Sequence, residues 1–231
     1  MSTVLITGAN RGLGLEFARQ YAGAGWRVIA TCRDLSKAQA LEAIAAHADV
    51  HELDVRDAAA VMALGARLER VSVDVLIANA GVMTAPPDAP PEAVSRDAWL
   101  EAFEVNAVAP LACACAFLRQ VARSSERKMI AVGSRIGSVT ANVAGGHYVY
   151  RASKSALNAL WRSFALDHPE IIAAVLSPGA LQTDMTRYHA ERWAGLPEPA
   201  EAIARLRALI AGLGQDDSGG FFHVTGERLP W

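Results

Sequence analysis

The sequence predicts an α/β fold, a doubly wound parallel sheet in a single domain. Three observations predict it. Apolar strand-like runs alternate with helical patterns from the N-terminus onward. Those runs are continuous in Val, Ile, Leu and Ala rather than alternating with polar residues, as expected when helices cover both faces of a parallel sheet. The chain has 231 residues, 52% of them hydrophobic and 20% charged, enough apolar material for one large two-faced core and no compositional basis for disorder.

Taken in order, the pattern gives strand Thr3–Thr7, helix Leu13–Ala24, strand Arg27–Cys32 and helix Ser36–Ala46. It continues with strand Val50–Leu53, helix Asp57–Arg70, strand Val73–Ala78, a long helix Asp97–Arg123 and strand Met129–Val132. A helix Tyr148–Asp167 then precedes strand Ile171–Leu176, and Phe221–Val224 adds a last strand. Two stretches, Met83–Ser95 with four prolines and Thr183–Glu201 with Pro197 and Pro199, read as irregular. Both follow the carboxyl ends of strands, where ligands bind in open α/β sheets.

The formal net charge of −2 argues against a nucleic-acid partner. Cys32, Cys113 and Cys115 are odd in number and lack metal-type spacing, so neither a disulfide framework nor a metal site is expected, and a cytoplasmic location is. No signal-like N-terminus and no apolar run long enough to span a bilayer is visible, which predicts no membrane association.

Thr7-Gly8-Ala9-Asn10-Arg11-Gly12-Leu13-Gly14 falls at the first strand-to-helix turn. Glycines there let backbone approach a pyrophosphate, and the helix N-terminus favours its charge. Near the end of the second strand, where a carboxylate often holds a ribose hydroxyl, the chain reads Cys32-Arg33-Asp34. Arg33 and Arg11 supply guanidinium groups for a 2′-phosphate, favouring NADPH over NADH; alternatively both are solvated and Asp34 holds the ribose. Asp54 and Val55 are candidates for the adenine, although Asp54 can instead cap the helix that follows. Asn79-Ala80-Gly81 ends the fourth strand with small residues beside the cofactor, Asn79 tying neighbouring strand ends together. Pro178, Gly179 and Thr183 close the list near the nicotinamide, with a plain turn as the alternative.

Tyr150 and Lys154 lie four apart on one helix and therefore share a face. A phenol of ordinary pKa near ~10 needs a nearby cation to act as a base at neutral pH, and Lys154 supplies one while also reaching the nicotinamide ribose. Ser134, just past the fifth strand, can orient a substrate carbonyl; Ser138 is the rival. Asn106 lies inside a predicted helix, a poor place for asparagine unless its side chain has a task, such as holding a relay water. His147, near Tyr150, is read as a loop residue outside the catalytic group.

With these residues assembled, the chain resembles the short-chain dehydrogenases/reductases over essentially its whole length, and within them the sniffer-like and C-factor-like carbonyl reductases. The matching positions are Thr7–Gly14, Asn79-Ala80-Gly81, Asn106, Ser134, Tyr150 with Lys154, and Pro178-Gly179 with Thr183; Ser218–Phe222 and Leu229–Trp231 are similar to the subgroup's ending. The resemblance implies a Rossmann-type domain, a tetrad of Asn106, Ser134, Tyr150 and Lys154, and NADPH held with Arg11 and Arg33. It implies reduction of an aldehyde or ketone and a homodimer or homotetramer. Tyr150 lies 16 positions after Ser134, more than the family pattern, so Val139–His147 reads as variation in the substrate pocket.

A dinucleotide-binding signalling or regulatory protein of the C-factor kind is the alternative. A sugar-nucleotide epimerase fits poorly, because little chain follows Thr183. The proline-rich loop near Met83, the 139–147 loop, and Tyr188, His189 and Trp193 are the expected substrate walls, the two aromatics being equally packing residues or a lid.

Overall fold

In the computed structural model, which describes residues 1–188 and 190–231, seven parallel strands form one sheet in the order β3-β2-β1-β4-β5-β6-β7. They are β1 (Thr3–Ile6), β2 (Arg27–Cys32), β3 (Ala48–Glu52), β4 (Val75–Ala78), β5 (Lys128–Val132), β6 (Ile172–Ser177) and β7 (Gly220–His223). The order reverses between β1 and β4, and the switch point between them opens a crevice at the carboxyl edge.

Successive strand residues feed opposite faces. Leu5, Ile29, Leu76, Met129 and Val175 pack towards α2 (Ala58–Arg67), α4 (Ala109–Ala116) and α6 (Tyr148–Asp167). Val4, Ile6, Val28, Ile77, Ile130 and Leu176 pack towards α1 (Gly12–Gly23) and α8 (Pro199–Gly212). This two-sided burial is why the strands read as unbroken apolar runs.

Three sequence expectations are corrected. The expected helix Ser36–Ala46 is instead two 3₁₀ segments, Leu35–Lys37 and Gln39–Ile44, burying only Leu41. The chain must return along a six-residue strand of roughly 20 Å, and 3₁₀ turns rise ~2.0 Å per residue against ~1.5 Å for an α-helix, so they cover the distance with few residues. The expected long helix Asp97–Arg123 is segmented into α3 (Arg96–Phe103), a π-turn at Glu104–Val108, α4 and α5 (Leu118–Ala122). By length and hydropathy its 96–116 stretch would suffice to cross a membrane, contrary to expectation, yet here it covers the sheet with Ala102, Val105, Ala109 and Cys113 buried. Finally, α8 was not anticipated. Pro199 opens it, and Ala202, Ile203, Leu206 and Ile210 form its buried stripe. A four-residue α7 (Ala190–Trp193) precedes it.

Candidate active site

The glycine turn is built by close approach. Gly8 and Gly12 have φ of 64° and 54°, and a Cβ on Gly14 would lie 2.3 Å from the Gly8 carbonyl oxygen and 2.6 Å from Asn79 Nδ2. Only glycine fits at position 14 without moving the turn. Thr7 Oγ1 accepts from the backbone N–H groups of Asn79 and Ala80, each at 3.0 Å, while Asn79 Nδ2 donates to the Thr7 and Gly8 carbonyls at 2.9 and 3.2 Å. These bonds lock the ends of β1 and β4 together, as the sequence suggested for Asn79. Arg11 sits at the N-cap of α1 without a side-chain cap, so the first-turn N–H groups face the crevice with no internal acceptor. Asn10 donates to the Lys37 carbonyl at 3.2 Å, and Leu13 packs partly buried beside it. An open helix N-terminus behind a glycine cradle suits a dinucleotide pyrophosphate.

At the end of β2, Asp34 is already engaged. Its carboxylate accepts from the Ser36 N–H at 3.0 Å and hydroxyl at 2.5 Å and lies 3.4 Å from Lys37 Nζ, and these bonds hold its pKa low. Arg33 is exposed; the pKa of Asp54 is lowered chiefly by its bonds to Arg56 and least by the Arg33 charge. The Asp54 carboxylate is gripped by Arg56 at 2.5–3.1 Å. Asp54 does not cap the next helix: Asp57 does, accepting from Ala60 N–H at 2.9 Å. Val55 is buried next to it.

Asn106 occupies the π-turn and is fully buried. Its Oδ1 accepts from Val82 N–H at 2.8 Å, and its Nδ2 donates to the Val82 carbonyl at 2.8 Å and to Ser153 Oγ at 3.0 Å. Ser153 in turn donates to the Tyr150 carbonyl at 2.9 Å. The extra residue of the π-turn accommodates an asparagine whose side chain links the β4 end to the tyrosine helix.

Tyr150 and Lys154 stand in the first two turns of α6. The Tyr150 phenol is pushed up to about 12, by burial first and then by Tyr188, against a hydrogen bond from Ser134 that draws it down. Lys154 is buried and its pKa falls to about 8, because burial disfavours its charge. Its Nζ donates to the Val132 carbonyl at 2.9 Å and lies 5.8 Å from the Tyr150 ring centroid. Gly81 lies beside it: a Cβ there would be 3.8 Å from Nζ and 3.3 Å from Asn106 Oδ1.

The residues after β6 complete the crevice. Gly179 turns at φ 79° after Pro178, and Thr183 approaches Gly12, its Cγ2 4.0 Å from where a Cβ would stand. Asp184 forms an ion pair with Arg11 at 3.1 Å. Trp193 Nε1 donates to the Thr183 carbonyl at 3.1 Å, and Gln182 Nε2 to the Ala194 and Leu196 carbonyls, which ties Gln182 and Thr183 to the chain at 193–196. Tyr188 reaches the site, 6.5 Å from the His147 ring; His189 lies outside the described residues.

Residues 2–193 match the family profile described as short chain dehydrogenase. The chain belongs to that family. It is 40% identical to the C-signal protein of Myxococcus xanthus over 164 residues, 69% of this chain and 93% of that one. The carbonyl reductase Sniffer of D. melanogaster superposes with a TM-score of 0.88 at 32% identity, covering all of both chains. A carbonyl reductase from chicken fatty liver, solved with NADPH bound, superposes with a TM-score of 0.89 at 29% identity over 100% of this chain and 99% of that one. Within the short-chain dehydrogenases the chain thus falls in the sniffer-like and C-factor-like subgroup.

Seen as a short-chain dehydrogenase, the chain brings Asn106, Ser134, Tyr150 and Lys154 to one end of the crevice and the glycine turn, Arg11 and Arg33 to the other. Ser134, not Ser138, meets the tyrosine. Ser138 is buried elsewhere, donating to the Trp231 carbonyl at 3.0 Å and accepting from Ala141 N–H at 3.0 Å. His147 is the left-handed residue that opens α6, its carbonyl accepting from Arg151 N–H at 2.7 Å. The sequence reading missed Thr7 and Ser153 as supports. A serine inside a predicted helix, one residue before Lys154, was the available signal. Among the described residues no group of side chains could hold a metal ion.

Proposed function

We infer that this chain is an NADPH-dependent reductase of aldehydes or ketones, running reversibly on the matching alcohols. The observation that carries this reading is the meeting of Ser134 and Tyr150 beside a buried Lys154, paired with no carboxylate among the described residues, at the carboxyl edge next to the glycine turn. When bound, the nicotinamide supplies the hydride. Ser134 orients and polarises the substrate carbonyl through its hydroxyl. Tyr150, protonated at neutral pH, gives its proton to the same carbonyl oxygen. The ammonium of Lys154 stabilises the phenolate left behind, and Asn106 anchors the helix turn behind them and can hold a relay water.

NADPH is favoured over NADH because Asp34 is tied to Ser36 and Lys37, whereas Arg33 is exposed without an ion pair among the described residues. Gly8, Asn10, Gly12, Leu13, Gly14, Asn79, Ala80, Gly81, Pro178, Gly179 and Thr183 line its path, with Asp54 and Val55 at the adenine. The exposed apolar side chains of Leu100, Val108 and Leu166 on α3, the π-turn and α6 fit a homodimer or homotetramer. The free thiols of Cys32, Cys113 and Cys115 accord with the cytoplasm.

Oxidation of NADPH and NADH with a panel of aldehydes, ketones and quinones, comparing wild type with Tyr150→Phe, tests the reading. Turnover lost in the variant with cofactor binding kept supports it. Binding without turnover across the panel favours the signalling alternative, whose support is the likeness to C-signal.

A further inference from the structure

On the reductase reading above, the chain between Ser134 and Tyr150 must bring two hydroxyls to one carbonyl oxygen. Gly145, Gly146 and His147 follow one another at φ of 66°, 66° and 53°. The glycines adopt that conformation freely, but a histidine does so at a cost and is kept there by its surroundings. Part of the hold comes from elsewhere in the fold: the His147 N–H donates to the Pro87 carbonyl at 2.8 Å and the Thr140 N–H to the Trp231 carbonyl at 3.0 Å, while Val139 and Val143 on the same loop are 72% and 96% exposed.

Arg151 supplies another part. Its Nη1 donates to the Ile136 carbonyl at 2.9 Å, its Nη2 to Gly145 at 2.8 Å and its Nε to Gly146 at 3.3 Å. A planar fork with donors along its edges suits three fixed carbonyls in a way that a lysine does not. One bond reaches the turn that follows Ser134, two reach the far end of the loop, and the side chain itself grows from the residue after Tyr150. Ser155 and Asn158, further along α6, donate to the Gly137 carbonyl at 2.9 and 3.1 Å, but they grip only the serine turn.

We propose that Arg151 is a positioning residue, stapling the 139–147 loop and the serine turn to the first turn of α6 and so fixing Ser134 against Tyr150. Its kinetic consequence rests on the reductase reading above. Loosening the staple weakens the Ser134 hydrogen bond that draws the Tyr150 phenol down. In alcohol oxidation Tyr150 must first become phenolate, so the rising limb of the rate moves to higher pH.

The test compares Arg151→Met and Arg151→Lys with Arg162→Met, a control on the same helix whose Nη1 donates to the Gly219 carbonyl at 3.3 Å. Arg151→Met is expected to lose about 10²-fold in kcat/KM, the scale of an ångström-sized misplacement, with NADPH affinity unchanged. Its oxidation pH profile moves to higher pH and hydrogen exchange quickens over residues 138–147; Arg151→Lys recovers part of each, and Arg162→Met changes none. Wild-type kinetics and pH profile in Arg151→Met overturn the proposal, whatever happens to its melting temperature. Should that variant fail to fold, Arg151→Lys decides on the same readouts. A wild type that turns over nothing sinks the reductase reading alone, and exchange then judges the staple: unchanged protection in Arg151→Met overturns it, lost protection confined to 138–147 upholds it.

Discussion

The two ends of the crevice are built on opposite electrostatic principles. At the catalytic end Lys154 is buried against a neutral carbonyl, and burial dominates the pKa values of both Lys154 and Tyr150. At the adenosine end Arg11, Arg33, Asp34, Lys37, Asp54 and Arg56 are wholly or partly exposed, and most are paired with one another. Low dielectric makes each charge at the first end consequential and hard to replace, whereas water and salt screen those at the second. Substitutions should therefore act on rate at one end and on cofactor preference at the other, with very different magnitudes.

The largest effect is expected for Lys154→Met. On the reductase reading the Lys154 cation steadies the phenolate left at Tyr150, so kcat should fall by about 10²–10⁴ without it, the range of general acid–base catalysis. Stability should move the other way. The native pKa near 8 lies below the ordinary 10.5, so the unfolded chain binds the extra proton between those values and wild-type stability rises with pH across that window. Below pH 8 the buried ammonium costs the fold on the order of a few kcal/mol. Melting temperatures of wild type and Lys154→Met should converge as pH rises from 7 to 10; parallel curves would remove desolvation as the organising feature of this end.

Asn106→Ala comes next. It leaves the Val82 N–H and carbonyl without their partner and should cost about 1–3 kcal/mol by denaturant titration, with lowered turnover. A variant of wild-type stability would show that the π-turn holds itself. Gly14→Ala tests the boundary between the two ends, since its methyl group meets backbone at 2.3 Å; about 1–3 kcal/mol of stability and most of the NADPH affinity should go.

How legible each end was in the sequence follows the same division. The seven strands, α6 and the glycine turn were readable because each rests on local pattern: unbroken apolar strands, an amphipathic helix and glycines where backbone crowds backbone. The segmented helix around Asn106 was signalled by the asparagine itself, though its π geometry was not, because one extra residue per turn leaves no compositional trace. The Leu35–Ile44 segment misled because its alanines and glutamate favour α-helix while the distance to β3 selects 3₁₀ turns. At the adenosine end the residue types were visible but their pairing was not: Asp54 with Arg56 is local, whereas Arg11 with Asp184 joins residues far apart in the chain.

Arg33→Ala sharpens the exposed side of the comparison. A charge-assisted bond to a 2′-phosphate is worth about 1.5–3 kcal/mol, so NADPH should bind roughly tenfold or more weakly while NADH affinity is unchanged. Equal losses for both cofactors would place Arg33 away from the 2′ position.

The smallest effect should come from Asp184→Asn. The Arg11–Asp184 pair spans the crevice at 3.1 Å with side chains 64% and 54% exposed, and surface pairs of this kind generally contribute no more than about 1 kcal/mol. Breaking it should barely change the melting temperature. Because Asp184 neutralises Arg11 in the absence of cofactor, its loss should strengthen NADPH binding severalfold at low ionic strength and not at high, as measured by fluorescence titration at two salt concentrations. A gain independent of salt would mean that the aspartate acts by holding the 182–197 segment in place, and the adenosine end would then depend on packing as the catalytic end does.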